Sequence, residues 1–237
     1  MKKVLFITGA SGSLGKSICE QFGRNRYYIV SIGRHVLDYV DENIIFDLGL
    51  LKNTDQIEEN IGSILAHNEY EEILLIHAAG IYYKKELPIE KKEQDEFAKM
   101  FQIHCNSLFI LVNALVDYWK KMQKGNIVVV SSNLVERVNR GTLFYIATKG
   151  CLESMVKQLA SDLGRIGVRC NSVSPGLFLS NMNMAASGFS KIAQNTPLGR
   201  IGTSADIAKV IYALTDENLY WVNGENIIVD GGNSNEF

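Results

Sequence analysis

The stretch Val4-Leu5-Phe6-Ile7-Thr8-Gly9-Ala10-Ser11-Gly12-Ser13-Leu14-Gly15 opens on a short apolar run, passes through a glycine-rich turn and enters an amphipathic pattern over residues 14–22. Strand, tight turn and helix N-terminus in succession aim backbone N–H groups and the positive end of a helix dipole at one point, where a pyrophosphate can sit. Glycine is needed there because a Cβ would hold the phosphates away or block close packing of helix on strand. Gly9, Ser11, Gly12, Ser13, Leu14 and Gly15 are the candidate phosphate-binding residues. The apolar run behind Lys2 and Lys3 stops at Thr8, too short for a secretory signal, and reads as a first strand.

Working outward, short runs rich in β-branched residues recur at 4–8, 28–32, 44–46, 73–77, 127–131, 168–173 and 227–229. Amphipathic stretches lie between them at 14–22, 54–67, 91–124, 143–165 and 205–214. Ile127-Val128-Val129-Val130 is apolar on both faces, as a parallel strand covered by helices on both sides requires. The expected fold is α/β: a doubly wound, Rossmann-type parallel sheet of about seven strands with helices on both faces. The 237 residues hold 46% hydrophobic side chains and only 3 Pro, with no linker-like tract, so residues 1–237 read as one domain.

The charge balance of 24 Lys+Arg against 26 Asp+Glu argues against nucleic-acid or acidic-membrane partners. No apolar run approaches the ~18 residues of a membrane span. Cys19, Cys105, Cys151 and Cys170 are scattered, form no CxxC pair and have no histidine at metal-ligand spacing. They read as small buried hydrophobes in a reducing compartment, and His35, His67, His77 and His104 are equally dispersed. The expectation is a cytoplasmic protein without a metal, in which His77, at a strand end, is a hydrogen-bonded structural residue.

Where an acid would bind a ribose 2′-hydroxyl stand Gly33, Arg34 and His35, and no carboxylate follows until Asp38. An arginine there suits the additional phosphate of NADP, and the missing acid removes both the preference for NAD and the repulsion of NADP. NADP(H) is therefore the preferred cofactor, with NAD(H) possible. Tyr145 and Lys149 stand four apart early in a helical pattern, which puts phenol and ammonium on one face. A neighbouring positive charge lowers a tyrosine pKa from about 10, making Tyr145 a usable proton donor and acceptor near neutral pH.

With these residues in hand, the sequence resembles the short-chain dehydrogenase/reductase family over essentially its whole length. Thr8 to Gly15 resembles the family's TGxxxGxG, Asp47 its adenine-contacting acid, and His77-Ala78-Ala79-Gly80 its NNAG. Asn106 stands where the long helix carries the family's active-site Asn; Ser132 resembles its active-site Ser, and Tyr145-x-x-x-Lys149 its YxxxK. Asn171-Ser172-Val173-Ser174-Pro175-Gly176 resembles NxVxPG, and Pro197-Leu198-Gly199-Arg200 and Val229-Asp230-Gly231-Gly232 resemble recurrent C-terminal elements. The resemblance implies hydride transfer between a nicotinamide and a small carbonyl or secondary alcohol substrate. Tyr145 would move the proton, Ser132 bind the substrate oxygen, Lys149 hold the nicotinamide ribose and tune Tyr145, and Asn106 position a water. Asp47, Ala79, Gly80, Pro175 and Gly176 join the cofactor-binding set.

Three departures stand out. Ser13 occupies the place of the middle glycine, His77 and Ala78 replace both asparagines of NNAG, and Thr148 replaces the commoner Ser before the lysine. Phe178, Met182, Met184 and Phe189 fall in the family's substrate-loop segment and could line an apolar pocket. The rival readings are a 3-oxoacyl-carrier-protein reductase and a non-catalytic NADP(H)-binding sensor or scaffold. Residues 97–119 carry apolar side chains in almost all directions, with Phe101, Leu108, Val112, Leu115 and Trp119 in one stripe and Ile103 and Ile110 nearly opposite. Burial on more than one side is expected, and with it a homo-oligomer, a dimer or more specifically a homotetramer, paired through this helix as the family does.

Overall fold

The computed structural model describes residues 2–24, 26–50, 54–66, 69–180 and 189–235. Seven strands, β1 (Lys2–Thr8), β2 (Tyr27–Gly33), β3 (Glu42–Ile45), β4 (Tyr70–His77), β5 (Gly125–Val130), β6 (Val168–Pro175) and β7 (Asn226–Val229), form one sheet in the order β3-β2-β1-β4-β5-β6-β7. Every neighbouring pair is parallel. The chain builds outward from β1 to β3, then returns to lay β4 against the other side of β1. This reversal opens a crevice at the carboxyl ends of β1 and β4, the place where such sheets bind ligands.

The strand period of two sorts the core into two layers. Val4, Phe6, Ile73, Leu75, Ile127 and Val129 face a cluster closed by α2 (Thr54–Ala66), α4 (Ser107–Met122) and α5 (Leu143–Gly164). Leu5, Ile7, Leu74, Ile76 and Val128 face the opposite cluster, closed by α1 (Ser13–Phe22) and α7 (Ser204–Leu214). This is why the central strands are apolar at every position. Cys19, Cys105 and Cys170 are buried and Cys151 half-buried, and all four are free thiols.

The longest helical stretch corrects the sequence reading in two respects. Residues Lys91–Met122 run as helix throughout, and by length and composition alone this stretch could cross a membrane. Counting uninterrupted apolar residues missed it, because polar residues punctuate the run. Its apolar side faces the sheet: Leu108, Leu111, Leu115 and Trp119 are fully buried, and Trp119 Nε1 donates to the Ile73 carbonyl at 3.1 Å. The helix is also not uniform, since α3 (Lys91–Phe101) passes through a π-helical segment, Gln102–Asn106, before α4 begins. Such segments recur at functional sites. The six-residue α6 (Phe189–Gln194) was not expected, being too short for a helical period to register. Met182 and Met184, and the side chain of Phe189, lie outside the described residues.

Candidate active site

The turn after β1 is built on two glycines that tolerate no side chain. Gly9 has φ +71°, and a Cβ on it would meet Ala78 and Ala79 backbone atoms at 2.7 Å; one on Gly15 would stand 2.2 Å from the Gly9 carbonyl oxygen. Gly12 differs. It caps α1 with extended backbone, and a Cβ there would touch only the Gly9 oxygen, at 3.4 Å. The missing side chain at Gly12 thus keeps the cavity open rather than letting the protein pack. A cavity of about 1090 Å³ runs along the carboxyl ends of the central strands, lined at this point by Gly9, Ser11, Gly12, Ser13, Leu14 and Gly15. It is large enough for a dinucleotide with a small second molecule.

At the β2–β3 side the wall is formed by Arg34, Asp47, Gly49 and Lys99. Asp47 is oriented by its own turn, Oδ1 accepting from the Gly49 N–H at 2.8 Å. Arg34 is exposed and enters no ion pair among the described residues. Arg34 and Lys99 also share a smaller adjoining pocket with Asp47, so two cations and one acid frame this corner. Lys99 was not foreseen, because it belongs to α3, far from Arg34 in sequence. Ala79, Gly80, Pro175 and Gly176 line the central part of the cavity.

Ser132, Tyr145 and Lys149 meet on the same wall. Ser132 follows β5 and caps a 3-10 turn, Asn133–Val135. Its hydroxyl lowers the pKa of the Tyr145 phenol; burial works the other way and wins, pushing it up to about 12. A neighbouring ammonium is expected to bring Tyr145 toward neutrality. In the structure Lys149 Nζ lies 5.8 Å from the Tyr145 ring centroid and donates to the Val130 carbonyl at 2.8 Å. Burial brings the lysine itself down to about 8, against opposing contributions from Cys105 and Glu153. Tyr145 is therefore held as a neutral phenol and Lys149 as the group that titrates near neutrality. Tyr82, also unforeseen, packs edge-on against Tyr145 at 5.0 Å.

Asn106 is the one expected member of this set that does not reach the cavity; its amide is bonded to Gln102. From this segment Ile103 lines the cavity, while His104 is turned inward and packs against Tyr145. His104 is fully buried, and its ring lies 5.9 Å from that of Tyr145. Its Nε2 accepts from the Ile81 N–H at 3.0 Å, which leaves Nδ1 as the donor to Thr148 Oγ1 at 2.8 Å. Thr148 Oγ1 in turn donates to the Tyr145 carbonyl at 2.9 Å.

His77 completes the chain. Its Nε2 lies 2.9 Å from the His104 carbonyl, which can only accept, so Nδ1 must accept from Thr8 Oγ1 at 3.0 Å. Thr8 Oγ1 accepts the Ala79 N–H at 3.1 Å. The loss of the two NNAG asparagines is thus made good by two imidazoles of fixed and opposite tautomer. Burial and the Lys149 charge hold both neutral, lowering His77 to about 4 and His104 further. The network ties the end of β1, the end of β4, the π-helical segment and the Tyr145 turn of α5 into one piece. Among the described residues no group of three or more His, Cys, Asp or Glu is placed to hold a metal.

A family model described as enoyl-(acyl carrier protein) reductase matches residues 51–234. The chain is 28% identical over 239 residues to the 3-oxoacyl-[acyl-carrier-protein] reductase FabG of Buchnera aphidicola subsp. Schizaphis graminum, covering 98% of this chain and 97% of that protein. It is 27% identical over 251 residues to the gluconate 5-dehydrogenase of Gluconobacter oxydans, covering 95% and 92%. Among solved structures, ElxO with NADP bound superposes with a TM-score of 0.86 at 23% identity over the whole of both chains, a likeness of fold. The family match spans most of the chain and agrees with the parallel sheet, the glycine turn and the Ser132, Tyr145 and Lys149 cluster. The protein belongs to the short-chain dehydrogenase/reductase family of NAD(P)-dependent oxidoreductases.

Proposed function

We infer that the protein is an NADP(H)-preferring reductase of a small carbonyl substrate, with Tyr145 as the proton donor. The observation that carries this reading is the convergence of Ser132, Tyr145 and Lys149 on a cavity whose other end is a glycine-lined turn. The bound nicotinamide would supply the hydride, and the chain supplies orientation and the proton. Ser132 and Tyr145 hydrogen-bond the substrate oxygen, and Tyr145 delivers its proton there as the carbonyl carbon is reduced. A phenol pushed up to about 12 is a proton donor throughout the neutral range, which suits Tyr145 to the reductive direction of the reversible reaction. Arg34 and Lys99 take the 2′-phosphate, and Asp47 the adenine. In place of Asn106 the positioning role at the long helix falls to His104.

A 3-oxoacyl-carrier-protein reductase is the second reading, favoured by the Buchnera relative and others of the same name. On this reading the protein is soluble and self-associates through α4, where Phe109 is 66% exposed. The test is NADPH oxidation against a panel of ketones, oxo acids and acyl thioesters. Tyr145→Phe should cut kcat more than tenfold while leaving NADPH affinity within a few fold. A Phe variant retaining more than a tenth of the rate overturns the proton-donor assignment. Cofactor binding without turnover of any panel member favours a sensor or scaffold instead.

A further inference from the structure

Arg137 lies just beyond the 3-10 turn that Ser132 caps, and it lines the same cavity as Ser132 and Tyr145. It is half-buried. Its one side-chain hydrogen bond among the described residues runs from Nη1 to the Asn233 carbonyl. It enters no ion pair among those residues, whereas nearby Arg140, outside at the rim, is engaged by Glu86 at 3.1 Å. A guanidinium carries five N–H donors, so most of those on Arg137 are uncommitted.

Among the described residues no carboxylate forms an ion pair with Arg137. Asp47 is the only acid on the cavity wall among the described residues, and it sits at the β2–β3 side, while Arg137 follows β5. Asp230, the strand-end acid next to Asn233, is already held by Asn133, Gly232 and Ser234. From residue 163 to residue 205 the sequence has no Asp or Glu, and this stretch covers β6 and everything between Pro175-Gly176 and α7. The rest of the wall near Arg137, Asn139, Asn195 and Asn233, offers neutral polar groups. A half-buried cation that is held by one carbonyl and paired with no carboxylate among the described residues is half of an ion pair that a substrate anion can complete.

We propose that Arg137 anchors a carboxylate of the substrate, so that the enzyme reduces oxo acids in preference to neutral ketones. The proposal rests on the reductase reading above and adds the substrate class. An arginine fork matches a carboxylate with two parallel bonds, fixing orientation as well as charge. The half-buried position selects a small acid entering the cavity over an acidic protein docking at the rim. In the reaction the carbonyl carbon gains a hydride from the reduced nicotinamide and its oxygen gains the Tyr145 proton. The carboxylate is unchanged, and the product is the hydroxy acid.

The experiment compares 2-, 3-, 4- and 5-oxo acids with their ethyl esters, using NADPH and the intact chain. For the best-spaced acid, kcat/KM should exceed that of its ester by at least about tenfold, the worth of a charge-assisted bond, chiefly through KM. Arg137→Gln should lower the acid's kcat/KM by about that factor and the ester's by much less, and Arg137→Lys should keep part of the preference. Equal or better turnover of the esters by the wild type overturns the proposal without any variant, as does a preference that survives Arg137→Gln. Turnover of neutral ketones or acyl thioesters alone overturns the acid class and leaves the reductase reading standing. Absence of turnover across every class overturns both.

Discussion

His104 Nδ1 and Thr148 Oγ1 are 2.8 Å apart, and this bond fastens the π-helical segment to the turn of α5 that carries Tyr145 and Lys149. Thr148→Val removes the acceptor and strands a buried imidazole N–H, which costs about 1 to 3 kcal/mol. Thr148→Ser keeps the hydroxyl. Denaturant melts should show the valine variant destabilised by that amount and the serine variant close to wild type, with kcat falling for valine alone. Equal stability of all three would deny the bond its bracing role.

The two neutral imidazoles make the fold sensitive to acid. His77 is lowered to about 4 and His104 further, from an ordinary 6.5, so on acidification the unfolded chain takes up protons that the native state refuses. Stability is fully present above 6.5 and is lost as the pH falls from there toward 4, at up to about 1.4 kcal/mol per pH unit for each histidine. Melting temperatures of wild type and of the His77→Asn, His104→Asn double variant should converge in slope above pH 6.5 and diverge below it. Parallel curves across pH 4 to 6.5 would show that other groups set the acid limit.

Reduction should follow the lysine. Tyr145 stays protonated until about 12, whereas Lys149, at about 8, loses its charge within the assay range. The kcat/KM for carbonyl reduction should be level near pH 6 to 7 and fall with a single apparent pKa near 8, while alcohol oxidation rises toward high pH. Lys149→Met should abolish the break in whatever activity remains. A profile level to pH 10 would separate Lys149 from the rate.

Cofactor choice is expected to rest on two cations. Arg34→Ala should remove most of an NADPH preference worth roughly 1.5 to 3 kcal/mol, and Lys99→Ala a smaller part. Fluorescence titration with NADPH and NADH reads both. Equal wild-type affinities for the two cofactors would refute the assignment.

Assembly should depend on the outer face of α4. Phe109 is 66% exposed and Phe101 36%, whereas Ile110 packs partly onto the core. Light scattering at micromolar concentration should give a multimeric mass that Phe109→Asp reduces. A monomeric wild type would end the argument.

The fold was legible because it is written in features of short range. Continuous apolar strands such as Ile127-Val128-Val129-Val130 announce a sheet covered on both sides, and Gly9 and Gly15 mark a turn with no room for a Cβ. The site was legible where one element holds its parts, as with Tyr145 and Lys149 on α5. Asn106, placed by resemblance alone, does not line the cavity; it ends the π-helical segment Gln102–Asn106, from which Ile103 reaches the wall. Lys99 escaped notice as a site for another reason: its meaning comes from neighbours brought by distant segments, and no local pattern encodes that; Arg137 to Arg140 read in the sequence only as a basic loop for an acidic partner.

Gly12 separates what the protein needs in order to fold from what it needs in order to work. A methyl group there meets only one oxygen at ordinary contact distance, and its backbone suits any residue. An alanine at this position is therefore a matched blank: the same shape and assembly with the nucleotide seat filled in. Such a blank would let a cell-level effect of the chain be divided cleanly into what its chemistry does and what its mere presence does.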